Sequence, residues 1–212
     1  MRRGAEKTRM LHQAQAQQAS SPLSVNDLRT ITPKNQYRRL QLQGRFLNDK
    51  SFLLDNKVYN HAVGYHVLTP FEPTSQPTRW IIVDRGFIKA PLRREELPAI
   101  VPVAGQKIIV TRVYFPPRTH FHVSDEIESE TWPKRVQHVN FTLFKRILGH
   151  ELTPFVAILQ PRQPGMLVYN HPIVNLSPAK HYGYAVQWFL LALVAFIVLI
   201  RANLRKRTDY DK

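Results

Sequence analysis

The sequence has no cysteine among its 212 residues. That excludes disulfides, thiolate nucleophiles, cysteine-ligated zinc and iron–sulfur clusters together, so any metal or cofactor must be held by His, Met, Tyr or carboxylates. Catalytic signatures are missing too. There is no G-x-S-x-G elbow, P-loop, H-E-x-x-H pair or dinucleotide fingerprint. Glycine is sparse, with eight in all. Gly64 and Gly86 stand alone and read as backbone-permissive turn or bulge positions rather than as part of a phosphate loop. No catalytic residue is identified, and the chain is expected not to be an enzyme.

Negative charge is also scarce. Fifteen Asp and Glu face thirty Lys and Arg, for a formal charge of +15. Such a balance suits an anionic membrane surface, an acidic partner or nucleic acid. The basic residues are scattered, however, and no nucleic-acid recognition motif accompanies them, so nucleic acid is not expected as a partner. One dense basic group, Arg201, Arg205, Lys206 and Arg207, follows a long apolar run.

That run extends from Tyr182 to Ile200 without a charge. As a helix it would be about 28 Å long, close to a bilayer's hydrocarbon thickness, which predicts a C-terminal transmembrane helix in a lipid bilayer. Tyr182, Tyr184 and Trp188 crowd one end like an interfacial aromatic belt. The basic group at the other end predicts a cytoplasmic C-terminus and a non-cytoplasmic remainder. Met1 to Gln18 is polar and of helical composition, with no apolar stretch resembling a secretory signal.

Between these ends the texture is that of short strands. Leu40, Leu42, Gly44 and Phe46 alternate with polar residues, the period of a half-buried strand. Further strands are predicted over 51–58, 64–71, 80–83, 107–115 and 155–160, with a short seventh over 166–169. Asn140 to Leu148 reads as a helix with Phe141, Phe144, Ile147 and Leu148 on one face. Segments 90–104 and 117–138 read as loops. The expected fold is a membrane-anchored, mainly-β (α+β) protein: a small antiparallel barrel or sandwich with one short helix, followed by the transmembrane helix. The expected divisions are a juxtamembrane helix and linker over 1–36, a β-rich domain over 37–178, a transmembrane helix over 179–201 and a basic tail over 202–212.

Several residues invite a chemical reading. Asp125, Glu126, Glu128 and Glu130 form an acidic loop, whose spacing suits a solvated turn better than a cation site. His120 and His122, at i, i+2, would share a strand face; a copper or zinc pair and a polar loop are both open. His61, His66, His138, His150 and His171 are each alone in their segments and read as surface or satisfied histidines. His181 is the last polar residue before the apolar run. In a helix it shares a face with Tyr184, Ala185 and Trp188, at i, i+3, i+4 and i+7. An imidazole there could ligate a haem iron or simply sit at headgroup level.

Four stretches stand out in order along the chain: Gly44-Arg45-Phe46, Gly64-Tyr65-His66-Val67-Leu68-Thr69-Pro70, Val83-Asp84-Arg85-Gly86-Phe87-Ile88, and His181-x-x-Tyr184-Ala185-x-x-Trp188-Phe189. Together they resemble the surfeit-locus-one family of cytochrome c oxidase assembly factors. In the third, Asp84 stands where the family pattern has Asn, and Phe87 where it has Trp. The resemblance implies a bacterial assembly factor in the cell inner membrane, with a periplasmic domain and a cytoplasmic C-terminus. It implies a further transmembrane helix ending just upstream of Met1. It also implies haem a as cofactor, held by His181 as iron ligand with Tyr184 and Trp188 beside it, and cytochrome c oxidase subunit I and other oxidase assembly factors as partners. A structural chaperone that binds no cofactor is the alternative.

Overall fold

In the computed structural model, the described residues are 16–17, 20–24, 28–117, 131–171 and 178–208; side chains are described in the last segment only at 183–184 and 186–201. The chain divides into two compact units, one over 14–171 and the other comprising 1–13 and 172–212.

The first unit is built from eight strands: β1 (Leu23–Ser24), β2 (Arg39–Phe46), β3 (Phe52–Tyr59), β4 (Ala62–Pro73), β5 (Arg79–Lys89), β6 (Lys107–Tyr114), β7 (Lys134–Val136) and β8 (Glu151–Leu159). They hydrogen-bond in the order β1-β2-β6-β8-β5-β4-β3-β7, and β2 also pairs with β4. That extra pairing closes β2, β6, β8, β5 and β4 into a barrel, while β3 and β7 extend the sheet beyond it. Closure brings β2 and β4 so close that a Cβ at Gly44 would run into the Glu72 carbonyl. Glycine at this position is therefore a steric requirement.

Alternation dictates what fills the barrel. β2 buries every second residue, and Leu40, Leu42 and Phe46 meet Phe71, Ile81, Val83, Ile109, Val113, Phe155, Ala157 and Leu159 in one apolar cluster. A second cluster lies on the outer face, where Phe52, Leu68, Trp80, Ile82 and Leu152 are covered by the helix α1 (Phe141–Leu148). The helix starts where the Asn140 side chain accepts from the Leu143 N–H at 3.0 Å. It ends at Gly149, which adopts the left-handed conformation that glycine tolerates, φ 66°. Phe144 is fully buried and stacks on Phe52 with ring centroids 4.1 Å apart.

Mainly-β architecture and the short helix match expectation, with three differences. The sheet is mixed rather than antiparallel, since β5–β8, β3–β7 and β1–β2 are parallel pairs. Strand β7 arises in a segment expected to be loop. The expected strand over 166–169 is reduced to a single bridge between Phe87 and Val168.

The second unit contains a helix, α2 (Pro178–Thr208). Among the described residues no helix is long and apolar enough to cross a membrane, which corrects the membrane-anchored fold class and the C-terminal transmembrane helix expected over 179–201. The unbroken apolar letters of α2 begin only after Gln187, at Trp188, and end at Ile200. At 1.5 Å per residue that is about 20 Å of helix, short of the roughly 30 Å of a hydrocarbon core.

Candidate functional site

Polar residues inside a continuous apolar strand are costly unless paired. Strands β4 and β5 contain the sharpest case. Tyr65-His66-Val67-Leu68 and Ile81-Ile82-Val83-Asp84-Arg85 are buried throughout. Between His66 and Leu68 the β4–β5 register shifts: His66 faces Phe87, whereas Leu68 faces Asp84. This bulge in β5 is centred on Arg85 and Gly86, and Gly86 sits at φ 103°, a conformation reserved for glycine.

The bulge admits a third piece of chain. Leu167 N–H donates to the Arg85 carbonyl at 2.8 Å, Phe87 N–H to the Val168 carbonyl at 2.7 Å, and Val168 N–H back to Phe87 at 3.2 Å. A Cβ at Gly86 would collide with the Val168 carbonyl. The segment so held ends with His171 beside Asp84. Arg112, itself buried, donates from Nη2 to the His171 carbonyl at 3.1 Å.

Three ionisable side chains thus converge on the outer face, at the margin of the α1-covered cluster. Asp84 can only accept, so His66 Nδ1–H donates to Asp84 Oδ2, at 3.0 Å. His171 Nε2 lies 3.2 Å from Asp84 Oδ1, within ion-pairing range but off the line of a hydrogen bond. The Gly86 N–H donates to Asp84 Oδ1 at 2.9 Å. The two imidazoles meet edge to face, 4.5 Å between centroids. Burial pushes the Asp84 carboxyl up, but the adjacent His171 and His66 outweigh it and hold the group far below the usual carboxylate range.

Arg85 points the other way, into the barrel. Its guanidinium donates to the Gly165 carbonyl at 2.8 Å and the Val101 carbonyl at 2.7 Å and lies over the Phe46 ring. Burial lowers its pKa to about 10, which leaves it charged at neutral pH.

Of the residues singled out in the sequence, Tyr184 and Trp188 lie on α2, 61% and 70% exposed. His181 belongs to α2 by its backbone, but its side chain lies outside the described residues, as do His120, His122 and the acidic loop from Asp125 to Glu130. His150 stacks on Trp80, 3.7 Å between centroids. His61 sits in the β3–β4 turn at φ 62°. The cluster of His66, Asp84 and His171 was not anticipated. Its signal was an imidazole and a carboxylate embedded in otherwise apolar strands; nothing local announced that His171 would join them. A separate cleft of about 780 Å³ lies between the 3-10 turn at Pro33, Phe115 to Pro117, Pro154 and the start of α1.

Fold and site together define a small mixed β-barrel protein with a charged cluster sealed against its outer wall. The sequence pattern of the SURF1 family matches residues 1–193, and the chain belongs to that family. Uncharacterized SURF1-like proteins of Mycobacterium bovis and Mycobacterium tuberculosis are each 24% identical to it over 183 residues, covering 82% of this chain and 65% of theirs. The chain therefore spans about two thirds of the length of the curated relatives it matches. The family expected from the four motif stretches is borne out.

Proposed function

We propose that the chain is a non-enzymatic assembly factor for cytochrome c oxidase that binds haem a and presents it during maturation of subunit I, working with other oxidase assembly factors. Membership of the SURF1 family is the observation that carries this reading. The helix α2 supports it, since one continuous helix carries His181, Tyr184 and Trp188 at spacings of three and four residues, which place them on one face. The two aromatic rings are exposed and free to meet a planar ligand. In this reading His181 ligates the haem iron and the rings flank the macrocycle. The β-rich unit works in the periplasm, at the inner membrane where the oxidase is built.

The test is to express the protein in cells that make haem a, purify it, and compare its visible spectrum with that of His181→Ala. Haem content that falls in the variant supports the reading; unchanged content overturns the role of His181. A second reading has its own support. The described apolar side chains of α2, from Val186 to Ile200, are exposed, and contiguous apolar surface marks a site of association. A structural chaperone would use that surface without cofactor. Haem-free protein that still co-purifies with subunit I favours it.

A further inference from the structure

We propose that His66, Asp84 and His171 form a binding site for a divalent transition-metal ion of the zinc class, separate from any haem site. The donor set is the first argument. Two imidazoles and one carboxylate suit zinc and its first-row neighbours, whereas calcium and magnesium ask for more oxygens than this site offers. The potential ligand atoms lie within 4.8 Å of one another.

Distances are the second argument. Ligands about 2.0–2.1 Å from a tetrahedral zinc stand roughly 3.3 Å apart. Asp84 Oδ2 lies 3.0 Å from His66 Nδ1 and Asp84 Oδ1 lies 3.2 Å from His171 Nε2, so each imidazole already stands near that distance from one oxygen of the carboxylate. The nitrogens of the two imidazoles lie within the same 4.8 Å, and His171, the most exposed of the three, has the most room to adjust.

Unpaired nitrogen is the third. His171 Nε2 is buried and approaches the Asp84 carboxylate without a hydrogen bond aligned on it. Buried imidazole nitrogens normally find a donor or acceptor. An ion at the shared edge would use the His171 nitrogen and take the place of the proton between His66 and Asp84.

The surroundings are arranged as an outer shell. The Gly86 N–H fixes Asp84 Oδ1, and Arg112 holds the backbone at His171. All three ligands belong to one compact unit, two from adjacent strands and the third from the chain that leaves it. A bound ion would therefore fasten the end of the β unit to its barrel wall.

The test uses the full chain, purified without haem and stripped by a chelator. Cobalt(II) is titrated in and followed by visible absorption, and zinc(II) is then used as a competitor. One equivalent of cobalt, displaced by zinc, is expected, with affinity weakened roughly 100-fold or more in Asp84→Asn and His171→Ala. The pair His120→Ala/His122→Ala should bind as the unaltered chain does. No saturable binding, binding that survives in His66→Ala/His171→Ala, or binding that vanishes with His120 and His122, each overturns the proposal. Should the variants not fold, zinc-edge X-ray absorption of the unaltered protein decides. A first shell with two imidazoles and carboxylate oxygen supports the site, and a shell lacking the imidazoles overturns it. Because none of these readouts involves haem, the proposal and the haem reading can fail separately.

Discussion

The β unit and the helix α2 solve opposite problems. In the β unit large apolar side chains are inside and its buried ions are paired: Asp84 lies between two histidines, and Arg85 meets two carbonyls and an aromatic face. In α2 every described apolar side chain from Val186 to Ile200 is exposed. Local packing therefore accounts for the first by itself, whereas the second leaves contiguous apolar surface of the kind that marks sites of association. Stability should reside in one unit and recognition in the other.

The comparison is broken most readily in the barrel wall. Truncating Phe144 opens a cavity between α1 and Phe52, and Phe144→Ala should cost about 3–5 kcal/mol in urea unfolding. If it costs less than ~1 kcal/mol, α1 is not part of the cooperative core. Asp84→Ala comes next. It leaves two buried imidazoles without their carboxylate and should cost about 3 kcal/mol.

The pH dependence sharpens this second case. A carboxyl held below its unfolded value contributes stability that is fully present above about pH 4 and is lost as pH falls through the lower folded value. The stability gap between the unaltered chain and Asp84→Asn should thus shrink as pH falls below about 4. A gap that widens in acid would reverse the assignment.

Smaller effects separate the units further. Removing the helix cap in Asn140→Ala should cost about 1 kcal/mol. Trp188→Ala should change the unfolding of the β unit by no more than about 0.5 kcal/mol, because the ring is exposed on α2. The same variant should nevertheless reduce haem content or co-purification with subunit I. A large loss of stability with no loss of binding would invert the comparison.

Local rules made much of the β unit legible. The strict alternation of β2 and the capped, one-sided α1 were readable because each is decided by residues a few positions apart. Strands β4 and β5 run longer than their apolar cores suggest, since their pairing resumes beyond the bulge at Arg85 and Gly86, where Phe87, Ile88 and Lys89 face His66, Tyr65 and Gly64. The parallel pairings, the two-residue β1 and the three-residue β7 depend on partners distant in sequence. They have no signature of their own. The same physics hid the ion cluster. His66 and Asp84 looked like isolated polar residues, and the segment that brings His171 to them is fixed by backbone bonds into the β5 bulge rather than by any motif. On α2 the helix itself was legible, but the uncharged run counted Gln187 among its letters, and no helix among the described residues is long and apolar enough to cross a membrane.

The bulge at Gly86 also sorts charge. Strand geometry sends neighbouring residues to opposite faces, and here the neighbours are an anion and a cation: Asp84 goes outward to the histidines and Arg85 inward to Phe46. Register is therefore a matter of sign as well as shape. Deleting a single residue from β5 ahead of Asp84 would present a guanidinium to two imidazoles and a carboxylate to the apolar barrel. This stretch should consequently tolerate substitution far better than any change in its length.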